Sequence, residues 1–147
     1  MHASTLIPLL VTVALAIATP ALVMYSISRG GWAKVAEAYP ETGTPPPAVT
    51  NVGYGVFNGW VGYKGCLIIG VDDAGLHLRC WPFVLGWFHD PICVPWKDVG
   101  TARAVKIMWA GYHELRFAKT PDTRFALRDG TFEALRPAFA KAGVVVE

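Results

Sequence analysis

Four side chains in the middle of the chain have the types that bind soft cations: His77 with Cys80, and His89 with Cys93. Zinc accepts mixed histidine and cysteine ligands, so these four are the first candidates for a site. Their spacing argues otherwise. His77 and Cys80 stand three apart in a segment of strand character and point to opposite faces, and the paired-cysteine spacing of zinc folds is missing. The expectation is no metal ligand and no cofactor, with histidines toward solvent and thiols in the core. A nucleophilic pair of Cys93 with His89 or His113 needs an electropositive, partly open setting that lowers the thiol pKa. Cys93 instead has Ile92 and Val94 beside it. Asp72-Asp73, with Gly75 close behind, reads as turn chemistry rather than paired acid–base groups.

Other reaction classes lack their residues. Serine occurs only at Ser4, Ser26 and Ser28, so the rest of the chain has no serine nucleophile. No glycine is followed by Lys and then Ser or Thr, which removes a phosphate-cradling Walker loop, and Gly53, Gly55 and Gly59 have the wrong spacing for a dinucleotide fingerprint. The chain is therefore expected not to be an enzyme.

Two features suit binding instead. Between Lys97 and Lys141 nine basic residues face five acidic ones, and Arg116, Arg124 and Arg128 fall on one strand face. Such a face beside a membrane attracts anionic lipid, at roughly 1 kcal/mol per basic residue near the surface. Basic residues this few and this mixed with acids do not suit nucleic acid. The second feature is the segment Trp81 to Phe88, which carries Trp81, Phe83, Trp87 and Phe88. Exposed together they would form a docking patch; buried, they would close the end of a barrel.

The elements that must position these residues begin with a membrane anchor. No charged residue lies between Ala3 and Ser28, and Leu6 to Ile27 would span about 33 Å as a helix, enough for a bilayer. Pro8 falls in the first turn and Pro20 predicts a kink. A cleaved signal would want a basic start and a shorter apolar run, and the uninterrupted length argues further against a buried core helix. Arg29 and Lys34 come after the run and no Lys or Arg precedes it, which places the amino terminus outside and the remainder in the cytoplasm. Three sparse cysteines among apolar neighbours agree with a reducing compartment. The 53% hydrophobic and 16% charged composition excludes disorder, and much of its apolar excess belongs to this one run.

After the anchor, Trp32, Val35, Ala36 and Tyr39 share one helix face. Pro40 ends that helix, and Glu41 to Pro47 reads as a stiff proline-rich connector separating it from the remainder of the chain. Strands are predicted from Val49 onward, with turns near Gly59 and at Asp72–Gly75. In the alternation Leu76, Leu78, Cys80, the intervening His77 and Arg79 face solvent. Val105, Ile107 and Trp109 alternate in one strand. His113–Ala118 pairs with Thr123–Arg128 through a Thr120-Pro121-Asp122 loop, setting Glu114 opposite Arg128. Asp129 or Thr131 caps a final helix that ends near Gly143, with Pro137 predicting a kink or a break.

The fold class implied is mainly β with α: a transmembrane helix (1–29), a juxtamembrane helix and connector (30–48), and a small antiparallel curved sheet or partly open barrel of about seven strands closed by a carboxy-terminal helix (49–147). That element order resembles pleckstrin-homology-like or GRAM-like domains. Gly31-Trp32, Tyr39-Pro40, Gly75-Leu76-His77-Leu78, Pro82-Phe83 and above all His89-Asp90-Pro91-Ile92-Cys93-Val94-Pro95-Trp96-Lys97-Asp98-Val99 resemble a group of uncharacterised bacterial proteins with one amino-terminal membrane helix. Those relatives read His-Pro-Pro where this chain has His89-Asp90-Pro91. The resemblance implies a single-pass protein of the bacterial inner membrane and brings no activity with it. The expected role is an accessory subunit docking on a larger membrane complex through Trp32, Trp81, Phe83, Trp87 and Phe88. The alternative is recognition of anionic phospholipid by Arg116, Arg124 and Arg128.

Overall fold

A computed structural model of the protein describes residues 3–81 and 85–147. The uncharged amino-terminal run forms one helix, α1 (Ala3–Arg29), which continues without interruption through Pro8 and Pro20. Its 27 residues rise about 40 Å, against a hydrocarbon thickness of about 30 Å. Among the described residues it is the one helix long and apolar enough to cross a membrane, and none of its apolar window is buried. Thr12 Oγ1 donates to the Pro8 carbonyl and Ser26 Oγ to that of Leu22, both at 2.8 Å, bonds that satisfy these hydroxyls within the helix.

Gly30 and Gly31 join α1 to α2 (Trp32–Ala38). Gly31 has φ 148°, and a Cβ there would lie 2.8 Å from the Phe57 ring, so the junction requires glycine. The apolar face of α2 is the predicted one, with Trp32, Val35, Ala36 and Tyr39 all buried.

The rest of the chain supplies seven strands: β1 (Ala48–Phe57), β2 (Val61–Val71), β3 (Gly75–Cys80), β4 (Ile92–Pro95), β5 (Arg103–Ile107), β6 (Ala110–Phe117) and β7 (Thr120–Arg128). They form a single antiparallel sheet in the order β4-β3-β2-β1-β7-β6-β5, two meanders joined where β1 pairs with β7. Register shifts along β1 mark the irregularities that bend a strand. The last helix, α3 (Asp129–Lys141), lays Phe132, Leu135 and Phe139 into the core. The expected α+β class, an open curved sheet with a carboxy-terminal helix, is the observed one.

Both sheet edges are covered, which removes unpaired backbone that would recruit other chains. The exit of α2 lies along β4: Cys93 N donates to Tyr39 O at 3.0 Å and Glu41 N to Pro91 O at 3.1 Å. The carboxy-terminal tail lies along β5, with Ala102 N donating to Val145 O and Glu147 N to Ala102 O, each at 2.8 Å.

Several local expectations are corrected. The Glu41–Pro47 segment does not separate α2 from the sheet, because α2 shares one core with it. Trp32 is fully buried against Phe57 and Tyr63. The β5–β6 strand does not run through Trp109; Met108 and Trp109 both have positive φ (52° and 47°) and form a two-residue hairpin turn that leaves Trp109 95% exposed. The β6–β7 turn is Ala118-Lys119, not Thr120–Asp122, and a bulge after Arg116 restores the even register. Leu115 then faces Phe125 as the core pattern demands, but Glu114 pairs with Ala126 and Arg128 with Tyr112. Neither Asp129 nor Thr131 caps α3: the Asp129 carboxylate binds His113, and Thr131 Oγ1 accepts from Tyr54 N. The helix continues through Pro137.

Candidate functional site

Cross-strand pairing brings together side chains far apart in sequence. His77 on β3 lies beside Gly70 on β2 and Cys93 on β4, a row across the sheet. Leu76 and Leu78 enter the core, so this row faces the other way. The Glu41–Pro47 segment crosses it as a strap: a Cβ on Gly70 would sit 3.0 Å from Pro46 Cγ, so glycine lets the strap lie against the sheet.

Under the strap, His77 is buried rather than solvent-facing, which corrects the alternation reading. Its Nδ1 lies 2.5 Å from Glu41 Oε2 and its Nε2 2.8 Å from Asp72 Oδ1. Cys93 Sγ lies 3.8 Å from the same Nε2. Asp72 is itself fixed by the Asp72–Gly75 turn, where Oδ1 accepts from Ala74 N at 2.9 Å and Gly75 N at 3.1 Å. Burial by itself lowers the His77 pKa, but the hydrogen bonds and charges of Glu41 and Asp72 outweigh it and raise it, favouring the imidazolium. Burial also opposes charge on Asp72, yet its bond to His77 and the turn amides hold its pKa below the usual carboxylate value. The Cys93 thiol is pushed up, by burial first and then by the Glu41 and Asp72 charges. These carboxylates oppose thiolate formation, the reverse of what a cysteine nucleophile requires.

The other two described histidines are buried as well. His89 Nε2 bonds Tyr63 Oη at 2.8 Å beneath Trp32, whereas the Cys93 thiol faces His77. His113 stacks on Phe132 with ring centroids 4.0 Å apart and contacts Asp129 at 3.0 Å. Burial pushes the Cys66 and Cys80 thiols up too.

The aromatic segment divides. Trp32 offers no surface, and Phe83 lies outside the described residues. Trp81 is half exposed, its Nε1 donating to Asn51 O at 2.7 Å. Trp87 is 71% exposed, and with Phe88 it lines a groove along α1 formed by Ala16, Ile17, Pro20, Ala21 and Met24. Phe88 meets the Tyr25 ring edge-on at 6.0 Å. Ala16 and Met24 stand roughly 20 Å and 7 Å up the helix from Arg29. Trp87 and Phe88 therefore lie against α1 instead of closing the sheet.

Arg116, Arg124 and Arg128 are all exposed, and Arg116 stands directly opposite Arg124. Arg116 reaches Glu114 at 3.3 Å and Arg128 lies over the Tyr54 ring. Arg124 donates to Asn58 O at 3.2 Å, and Asn58 Nδ2 donates to Gly30 O at 2.9 Å. The basic face thus connects to the end of α1.

Neither a protein-family model nor a curated protein matches the sequence. Sequence reasoning missed Glu41 and, beyond the turn it assigned to Asp72, the bond of Asp72 to His77. The exposed Trp60 and Trp109 were missed too.

Proposed function

We propose that the protein is a single-pass, non-catalytic interaction module of the bacterial inner membrane, an accessory subunit that docks onto a larger membrane complex through α1 and the Trp87–Phe88 edge. The observation that carries this reading is the pair of aromatics lining one side of an otherwise unburied apolar helix. A helix so equipped presents a shaped apolar surface at bilayer depth, where association depends on packing and not on the hydrophobic effect. The positive-inside arrangement of Arg29 and Lys34 sets the sheet on the cytoplasmic side. Native electrophoresis of gently solubilised membranes tests this. The expected result is migration in a larger assembly that Trp87→Ala with Phe88→Ala releases. Migration of the unaltered chain as a free protomer overturns it.

A second reading is favoured by Arg124, which reaches the end of the span through Asn58 and faces Arg116 across the ladder. Like charges directly opposite are unfavourable, and an anionic headgroup between them would relieve that. On this reading the sheet binds acidic phospholipid. Reconstitution followed by protease protection would then depend on anionic lipid content and on Arg124→Glu; indifference to both refutes it.

A further inference from the structure

We propose that Glu41, His77 and Cys93 form a binding site for a divalent cation of the zinc class, which pins the strap to the sheet. The ligand atoms of these three residues all lie within 4.8 Å of one another. Around a tetrahedral zinc ion with bonds of about 2.0 Å to nitrogen or oxygen and 2.3 Å to sulfur, neighbouring ligand atoms are about 3.3–3.5 Å apart. The Glu41 oxygen now sits 2.5 Å from His77 Nδ1 and Cys93 Sγ 3.8 Å from the Nε2 of the same ring. Closing these three atoms on a common centre at Nδ1 requires the Cys93 thiol to turn from Nε2 toward Nδ1, with the cation displacing the proton between Glu41 and His77 and the thiol proton to solvent.

The surroundings suit that exchange. His77 Nε2 already faces Asp72 Oδ1 at 2.8 Å, so when Nδ1 is a ligand the other ring nitrogen donates to a carboxylate. That is the outer contact metal-bound histidines usually make, and it fixes the ring and its tautomer. Asp72 is held in turn by two turn amides. Two carboxylates flank a single imidazole beside the Cys93 thiol, and a divalent ion would offset their charge and that of the thiolate it stabilises. Imidazole, carboxylate and thiolate together match zinc in preference to magnesium or calcium, whose sites are built from oxygen. Cys93 remains partly accessible, and three protein ligands leave a fourth position toward solvent. The two-His/two-Cys set that residue type offered, and that spacing argued against, is not the one assembled: the ligands come from the strap, β3 and β4.

Cobalt titration of the full chain in detergent, after dialysis against a chelator, tests the site, because a thiolate ligand gives Co²⁺ a near-ultraviolet charge-transfer band. One equivalent is expected to produce that band together with intense tetrahedral visible bands, and Zn²⁺ to abolish both. Cys93→Ser should remove the charge-transfer band, Glu41→Gln should weaken binding at least tenfold, and Cys66→Ala should change nothing. Circular dichroism of each variant checks that it is folded. Absence of the band in the unaltered chain overturns the proposal. So does a band that survives Cys93→Ser but is lost in Cys66→Ala, since that places the thiolate elsewhere.

Discussion

Replacing Trp32 by alanine tests whether α2 belongs to the sheet domain. The side chain is fully buried, its ring centre 5.4 Å from both Tyr63 and His89 and 5.8 Å from Phe57, and its Nε1 donates to Asp90 O at 2.8 Å. Removing a buried tryptophan costs about 3–5 kcal/mol through lost transfer energy and the cavity left behind. The lost hydrogen bond adds about 1 kcal/mol at most, because Asp90 is exposed and water can serve its carbonyl. With a urea dependence of about 2 kcal/mol/M, the unfolding midpoint should fall by about 2 M. Trp32→Phe keeps most of the ring contact and should lose only about 1–2 kcal/mol. The assay is urea unfolding of the full chain in detergent, monitored by circular dichroism, in which α1, held by detergent, adds a constant signal and the change reports the sheet. An unaltered midpoint in Trp32→Ala would refute the packing argument and leave α2 as a separate juxtamembrane helix.

Gly75→Ala would set a methyl group 2.0 Å from the Val94 carbonyl oxygen, and Gly75 has φ 156°; a loss of about 2 kcal/mol or more is expected in the same unfolding assay. The raised pKa of Cys80 keeps it a neutral thiol at pH 8, and it is also buried, so mass spectrometry should find it alkylated by iodoacetamide only when urea unfolds the sheet. Rapid native alkylation of Cys80 would contradict its placement. Brominated lipids should quench tryptophan fluorescence of the reconstituted chain, and Trp87→Phe should reduce the quenched fraction while Trp32→Phe leaves it unchanged; equal effects would remove Trp87 from the bilayer.

The architecture was readable because its signals are local. Alternation fixed most of the strands, the i, i+3, i+4, i+7 set of Trp32 to Tyr39 fixed the buried face of α2, and Gly143 ended α3 in the left-handed region. The errors arose where an element's environment is supplied from a distance. His77 alternates with core residues and so reads as exposed on a sheet with one wet face. It is buried because residues 36 positions earlier cross that face, and no periodicity in β3 contains this information. The same crossing explains why ligand spacing within single segments does not reveal Glu41. The β6–β7 register failed by two residues because Thr120-Pro121-Asp122 has the composition of a loop, whereas the chain turns at Ala118-Lys119 and spends the remainder on a bulge. Trp109 misled for a related reason: an aromatic residue at positive φ carries none of the Asn-Gly signature of such a turn.

The segment between α1 and the sheet is attached at several points. Gly30 O receives Asn58 Nδ2, Trp32 enters the core, Tyr39 Oη accepts from Lys119 N at 2.7 Å, Glu41 binds His77, and Pro46 rests on Gly70. A chain of this composition with free residues would be a semi-rigid spacer letting the domain sample many orientations above a membrane. Secured at these points, it makes α1 and the sheet move together. The heights of Trp87, Trp60 and Arg124 relative to the helix axis are then set by the fold and not by diffusion on a tether. Fixed height gives the glycines their significance. Valine at Gly70 would lift the strap off the sheet without touching the core, and alanine at Gly31 would push α2 away from Phe57, where the built Cβ comes within 2.8 Å of the ring. If docking or lipid contact depends on a rigid presentation, Gly70→Val should weaken it by more than is explained by the about 1–3 kcal/mol of urea stability lost on overpacking this buried position. Loss of stability in parallel with loss of binding would instead show that the strap serves the fold alone.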